Sequence, residues 1–88
     1  MSVPRDRLVA YLDQYLGVAE WEEKCLNGLQ VEGVAEVERI ALATDAALAT
    51  FAMASEAGAG FLIVHHGLFW GQVQPIVGPQ RARIAALL

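Results

Sequence analysis

The chain has 88 residues, 56% apolar and 18% charged, with a net charge of −4 and an isoelectric point near 4.9. That length allows one domain at most, able to bury only about 60–65% of its unfolded surface, while the apolar content is too high for disorder. The acidic balance and the lack of any basic run speak against nucleic acid as a partner and against an anionic membrane surface.

The first element reads as a helix. Pro4 suits its first turn, Ser2 is placed to cap it, and Leu8, Tyr11, Leu12, Tyr15 and Leu16 recur at helical spacing until Gly17 stops it. Residues 18–25 carry little signal. Asn27-Gly28 then marks a turn, and the alternation Leu29-Gln30-Val31-Glu32 before Gly33 predicts a short strand. Val37–Thr44 reads as a second strand, with Ile40 and Leu42 on one side. Asp45 stands at a good N-cap position, and Ala46–Ala57 reads as a helix with Leu48, Phe51, Ala52 and Ser55 on one stripe. Gly58 and Gly60 end it. Phe61-Leu62-Ile63-Val64 follows as a continuous apolar run, expected to be a strand buried on both faces. Strand, helix and strand in about thirty residues make a βαβ unit, parallel and crossed right-handedly.

Residues 67–79, with Gly67, Gly71, Pro75, Gly78 and Pro79, read as a loop, and helical pattern resumes at Gln80 with Ile84, Leu87 and Leu88 apolar. The fold class expected is therefore α/β: a βαβ unit with a partly parallel sheet and flanking helices. The uncapped apolar ending on Ala85-Ala86-Leu87-Leu88 suggests a sequence cut inside an element, so residues 1–88 are expected to be a single partial domain. The high apolar content points the same way, to a surface that meets another chain or a further segment. Cys25 is the single cysteine, which rules out an internal disulfide and fits a small buried thiol in a reducing compartment. The first twenty residues include five charges and no apolar block, and no run reaches the ~20 apolar residues of a spanning helix, so a cytoplasmic location is expected.

The chemistry concentrates at His65 and His66, at the carboxyl end of the apolar strand, the edge where ligands bind in open α/β sheets. Imidazole is the commonest metal ligand, and each ring offers one nitrogen to a metal and one to an orienting partner. The pair also reads as two ordinary polar residues where a strand ends. Neighbours in a regular strand point to opposite faces, so one metal shared by both needs a bend at Gly67, or each ring takes its own metal. Asp45 ends the other strand of the same unit, about 5 Å away if the two strands are neighbours. It is either a group beside the metal or a plain helix cap, and the two roles are compatible. Phe69 and Trp70 are placed to stack a planar ring or to cover an oligomer interface. Asn27 and Gln30 offer amides to a ligand, or serve the turn at Gly28. No Gly-rich phosphate loop and no nucleophilic serine or cysteine setting is present. One metal takes three or four protein ligands, so a complete catalytic site is not expected from this chain alone.

Together, the blocks Asn27-Gly28-Leu29-Gln30-Val31-Glu32-Gly33, Thr44-Asp45-Ala46 and Leu62-Ile63-Val64-His65-His66-Gly67-Leu68-Phe69-Trp70 resemble the amino-terminal region of the family named for the NGG-interacting factor three, whose bacterial members are often labelled GTP cyclohydrolase I type 2 homologues. The resemblance implies a longer α/β subunit, a homo-oligomer in the form of a hexameric ring, and two divalent metal ions per complete subunit, whether zinc, iron, manganese or nickel. It makes His65 and His66 metal ligands and Asp45 a group supporting them. The family's remaining ligands lie beyond the reach of these residues. A metal-dependent hydrolase acting on a nucleotide is then implied only when those ligands are supplied. The contrasting reading is a non-catalytic, ring-forming or protein-binding module with a structural or regulatory metal.

Overall fold

A computed structural model describes residues 1–20, 25–71 and 73–88. Its elements are a two-residue strand β1 (Val3–Pro4), helix α1 (Arg5–Leu16), a 3₁₀ turn (Val18–Glu20), strands β2 (Glu36–Val37) and β3 (Ile40–Asp45), helix α2 (Leu48–Glu56), strand β4 (Phe61–His66) and helix α3 (Gly78–Leu87). The architecture is α/β.

The centre is the βαβ unit. β3 and β4 pair in parallel, with Ile40 opposite Phe61, Leu42 opposite Ile63 and Asp45 opposite His66. α2 crosses between them and packs on β3 and α3. Gly58 takes φ of 75°, the left-handed conformation open to glycine, just past the end of α2. The Arg39 guanidinium donates to the Ala57 carbonyl, one of the acceptors left over at the end of that helix.

Several local expectations are corrected. Ser2 does not cap α1; its hydroxyl donates to Glu36 Oε2 at 3.0 Å, because Val3 and Pro4 pair antiparallel with Val37 and Glu36 as a small second sheet. Gly17 does close α1, with φ of 63° and its N–H shared between the Asp13 and Gln14 carbonyls. The span 29–32 is not a strand; it is irregular and held through the side chain of Gln30. The expected strand 37–44 is broken at Glu38 and Arg39, so that only Ile40–Asp45 joins the parallel sheet. The last helix begins at Gly78 rather than Gln80, with proline in its first turn, where the missing N–H costs nothing.

Asp45 is not the cap of α2. Ala46 and Ala47 intervene, and Ala47 holds the N-cap position without a side-chain bond. Thr50 does the capping instead. Its Oγ1 accepts from the Ala47 N–H at 3.2 Å and lies 2.8 Å from the Asp45 carbonyl, to which it donates. The Asp45 carboxylate is thereby left for other work.

The apolar interior is small. Among the described residues Cys25, Val37, Phe51 and Leu68 are buried and none of their side chains is wholly sealed. Phe61–Val64 is half-buried rather than covered on both faces. On β3 the alanines at 41 and 43 are half-buried, whereas Leu42 is 77% exposed. Tyr11 and Tyr15, stacked at a centroid distance of 5.9 Å, also stand in solvent. Among the described residues no helix is long and apolar enough to cross a membrane.

Candidate metal centre

The two parallel strands end side by side, and this brings Asp45 and His66 together. Asp45 Oδ1 lies 2.8 Å from His66 Nδ1. A carboxylate can only accept, so the contact favours the tautomer protonated at Nδ1, which leaves the Nε2 lone pair of His66 for another partner. Both side chains are largely exposed. A hydrogen bond in so exposed a setting adds no more than about 1 kcal/mol, so its effect is to fix the ring rather than to hold the fold.

His65 belongs to β4 as well, since the strand runs through His66 instead of stopping before the pair. The two imidazole centroids are 4.6 Å apart with planes inclined at 54°. Side chains on strictly opposite faces could not approach so closely; the rings have turned toward each other at the carboxyl end of the strand. Trp70 closes the other flank, its ring 5.9 Å from His66 and its indole N–H donating to the Gly67 carbonyl at 2.9 Å. Asp45, His66, Gly67, Leu68, Trp70 and Arg83 line a cleft of about 370 Å³.

The turn after the histidines is held from outside. The Gln30 carboxamide donates to the Leu26 carbonyl, and its Oε1 accepts from the Leu68 N–H at 2.7 Å. A Cβ at Gly67 would run into this carboxamide, meeting its Oε1 at 2.6 Å and its Cδ at 2.9 Å. Gln30 thus acts on the site by fixing its backbone. Asn27 precedes Gly28, whose φ of 90° is a turn conformation, and the adjoining segment pairs Cys25 with Trp70. Phe69 lends its carbonyl to the Leu26 N–H at 2.9 Å and is half-buried, so of the two aromatic residues it is Trp70 that reaches the cleft.

Two imidazoles beside a carboxylate suit a divalent metal ion in donor chemistry. The set is partial: among the described residues no group of three or more His, Cys, Asp and Glu side chains is placed to hold a metal. Sequence reasoning did not find Arg83, which reaches this cleft from α3; its helix had to be folded back over the site before the proximity could be read.

The family model described as Duf34/NIF3 (NGG1p interacting factor 3) matches residues 3–88. A Pyrococcus abyssi protein called GTP cyclohydrolase 1 type 2 homolog is 50% identical over 84 residues, covering 96% of this chain and 34% of that protein. One of the same description from Deinococcus radiodurans is 44% identical over 83 residues, 94% of this chain and 32% of its own. The crystal structure of TTHA1606 from Thermus thermophilus superposes with a TM-score of 0.93 at 49% identity, over 97% of this chain and 36% of that one. Reduced HcgD from Methanocaldococcus jannaschii, at 20% identity and a TM-score of 0.84, covers 99% of this chain and 36% of its own and shares the fold. The chain spans about a third of the length of the curated relatives it matches.

Proposed function

Because this chain belongs to the Duf34/NIF3 (NGG1p interacting factor 3) family, we propose that it contributes His65 and His66 as ligands of a divalent-metal site, dinuclear when complete, in a hydrolase of the kind its relatives' cyclohydrolase names describe. The observation that carries the proposal is the Asp45–His66 contact at 2.8 Å. A metal-binding histidine characteristically donates its other ring N–H to a carboxylate, which fixes the tautomer and strengthens the ligand. Here that carboxylate comes from the neighbouring parallel strand, at the carboxyl edge where α/β sheets bind ligands.

Each residue then has a role. His66 presents Nε2 while Asp45 holds Nδ1. His65, with its ring 4.6 Å away, supplies a second imidazole. Trp70 shields one flank of His66 and offers a face on which a flat ring can lie. Gln30 keeps the turn from Gly67 to Leu68 in place. When bound, divalent ions supply Lewis acidity and acidify water for hydrolysis at neutral pH. Further ligands come from outside these residues, since the set here is partial.

Elemental analysis for zinc, iron, manganese and nickel tests this directly. The chain is expected to hold metal, and the double variant His65→Ala, His66→Ala to hold none. Metal retained by the double variant at the parent's level would refute the assignment. Replacing the orienting group should act more gently: Asp45→Asn is expected to weaken metal affinity about 10–100-fold with little change in melting temperature. An unaltered affinity on metal titration would show that Asp45 is no more than a neighbour.

A further inference from the structure

Gln80 is the one buried polar side chain among the described residues, 7% exposed. It stands on α3 three places after Val77, the N-cap. A glutamine there commonly folds back onto the N–H of its own cap residue. This one turns away from its helix instead. Its Nε2 donates to the Leu68 carbonyl at 3.4 Å, and its Oε1 accepts from Arg83 Nη2 at 2.8 Å. A guanidinium can only donate, so the Arg83 contact fixes which end of the carboxamide is the oxygen and aims the NH₂ group at Leu68. Burying a carboxamide is unfavourable unless both its ends are bonded, and an apolar side chain would meet no such demand. The use of glutamine at this buried position therefore points to what its bonds hold in place.

Leu68 is itself buried, and its main chain is gripped from two sides. Gln30 Oε1 accepts its N–H at 2.7 Å, and Gln80 holds its carbonyl. Helix α2 makes the matching contact on the other strand, where Thr50 Oγ1 lies 2.8 Å from the Asp45 carbonyl. The two helices pack on each other. The main chain at Asp45 and the main chain just after His66 are thus tied to the same pair of helices. We propose that Gln80 is a positioning residue of the metal centre: through the Leu68 carbonyl it sets the turn that carries His66 and Trp70 where Asp45 can reach Nδ1, so that α2 and α3 together form the frame of the site. Arg83 belongs to this device as the group that orients the carboxamide. The inference rests on the metal-site reading for what the turn is held for; the bracing of the turn stands without it.

The test is amide hydrogen exchange on the metal-free chain together with zinc titration, comparing the parent with Gln80→Met, which keeps the length and burial of the side chain and makes neither bond. Opening the turn then has one bond fewer to break. The amides of Leu68 and of Leu26, which donates to the Phe69 carbonyl, should exchange about fivefold faster, the factor for one ordinary hydrogen bond. Those of β3, and the melting temperature, should change little, since a buried thioether offsets the lost bonds. Zinc affinity should fall severalfold. Gln80→Glu, which keeps an acceptor for Arg83 and cannot donate to Leu68, should speed the same amides and serves if Gln80→Met does not fold. Unchanged exchange at Leu68 and Leu26 would overturn the proposal. So would faster exchange spread evenly over β3 and α2 with a matching fall in melting temperature, which is the mark of a merely structural role, and so would full zinc affinity in the variant of a parent that binds zinc. The exchange arm is read without metal and decides on Gln80 by itself. Zinc held equally by the His65→Ala, His66→Ala variant would refute the ligand assignment and leave the brace standing.

Discussion

Phe51→Ala is expected to abolish cooperative folding of the chain at 25 °C. Phe51 is 6% exposed and sits on α2, between β3 and α3. It is one of only four buried apolar residues among those described. Truncating a buried phenylalanine costs about 3–5 kcal/mol, part from lost transfer energy and part from the cavity left behind. Domains are stable by only about 0.05–0.15 kcal/mol per residue, and with four buried apolar residues among those described this chain belongs at the low end of that range, so one substitution takes most or all of it. Phe51→Leu, which keeps much of the volume, should still melt cooperatively at a lower temperature. Thermal denaturation followed by circular dichroism decides the matter. A melting temperature for Phe51→Ala within a few degrees of the parent would mean that the interior of this chain is not where its stability resides.

The second large effect is expected at Gly67. Its backbone φ is not the issue; space is. A side chain there would meet the Gln30 carboxamide, whose Oε1 stands 2.6 Å from the position of a Cβ. For Gly67→Val, forcing extra atoms into a filled position costs about 1–3 kcal/mol. Displacing Gln30 also breaks its bond from the Leu68 N–H, worth a further ~1 kcal/mol. The combined loss of about 2–4 kcal/mol falls on the turn that carries His66 and Trp70. Gly67→Val should therefore lose both stability and metal. Adding Gln30→Ala, which clears the space, should restore part of the stability but not the metal, because the turn has lost its tether. If Gly67→Val alone binds metal like the parent, the turn is more compliant than the packing implies.

Much of this was legible in the residues. The apolar run Phe61–Val64 between glycines, followed by His65 and His66, announces a strand delivering two imidazoles to a sheet edge, and the strand–helix–strand spacing places Asp45 beside them. What could not be read came from contacts distant in sequence. Val3 and Pro4 form a strand only because Glu36 and Val37 lie alongside. Gln30 looks like an alternating strand residue, but its carboxamide is drawn away to a main-chain N–H 38 positions on. Arg83 carries no local signal, since an arginine in a terminal helix usually faces solvent. Asp45 misleads in the opposite direction: aspartate before a helix is so often a cap that its turn toward His66 becomes visible only when Thr50 is seen doing the capping.

The pairing of Asp45 with His66 across the parallel ladder has a further consequence. Side chains in a strand repeat every two residues, so a slip of one position would send the two groups to opposite faces and part them. The hydrogen bond can exist in one alignment of the strands alone. The imidazole Nδ1 proton is in this sense a gauge of alignment: while it stays bound to the carboxylate its magnetic resonance should be shifted downfield, and any misaligned population would announce itself by the weakening of that one signal.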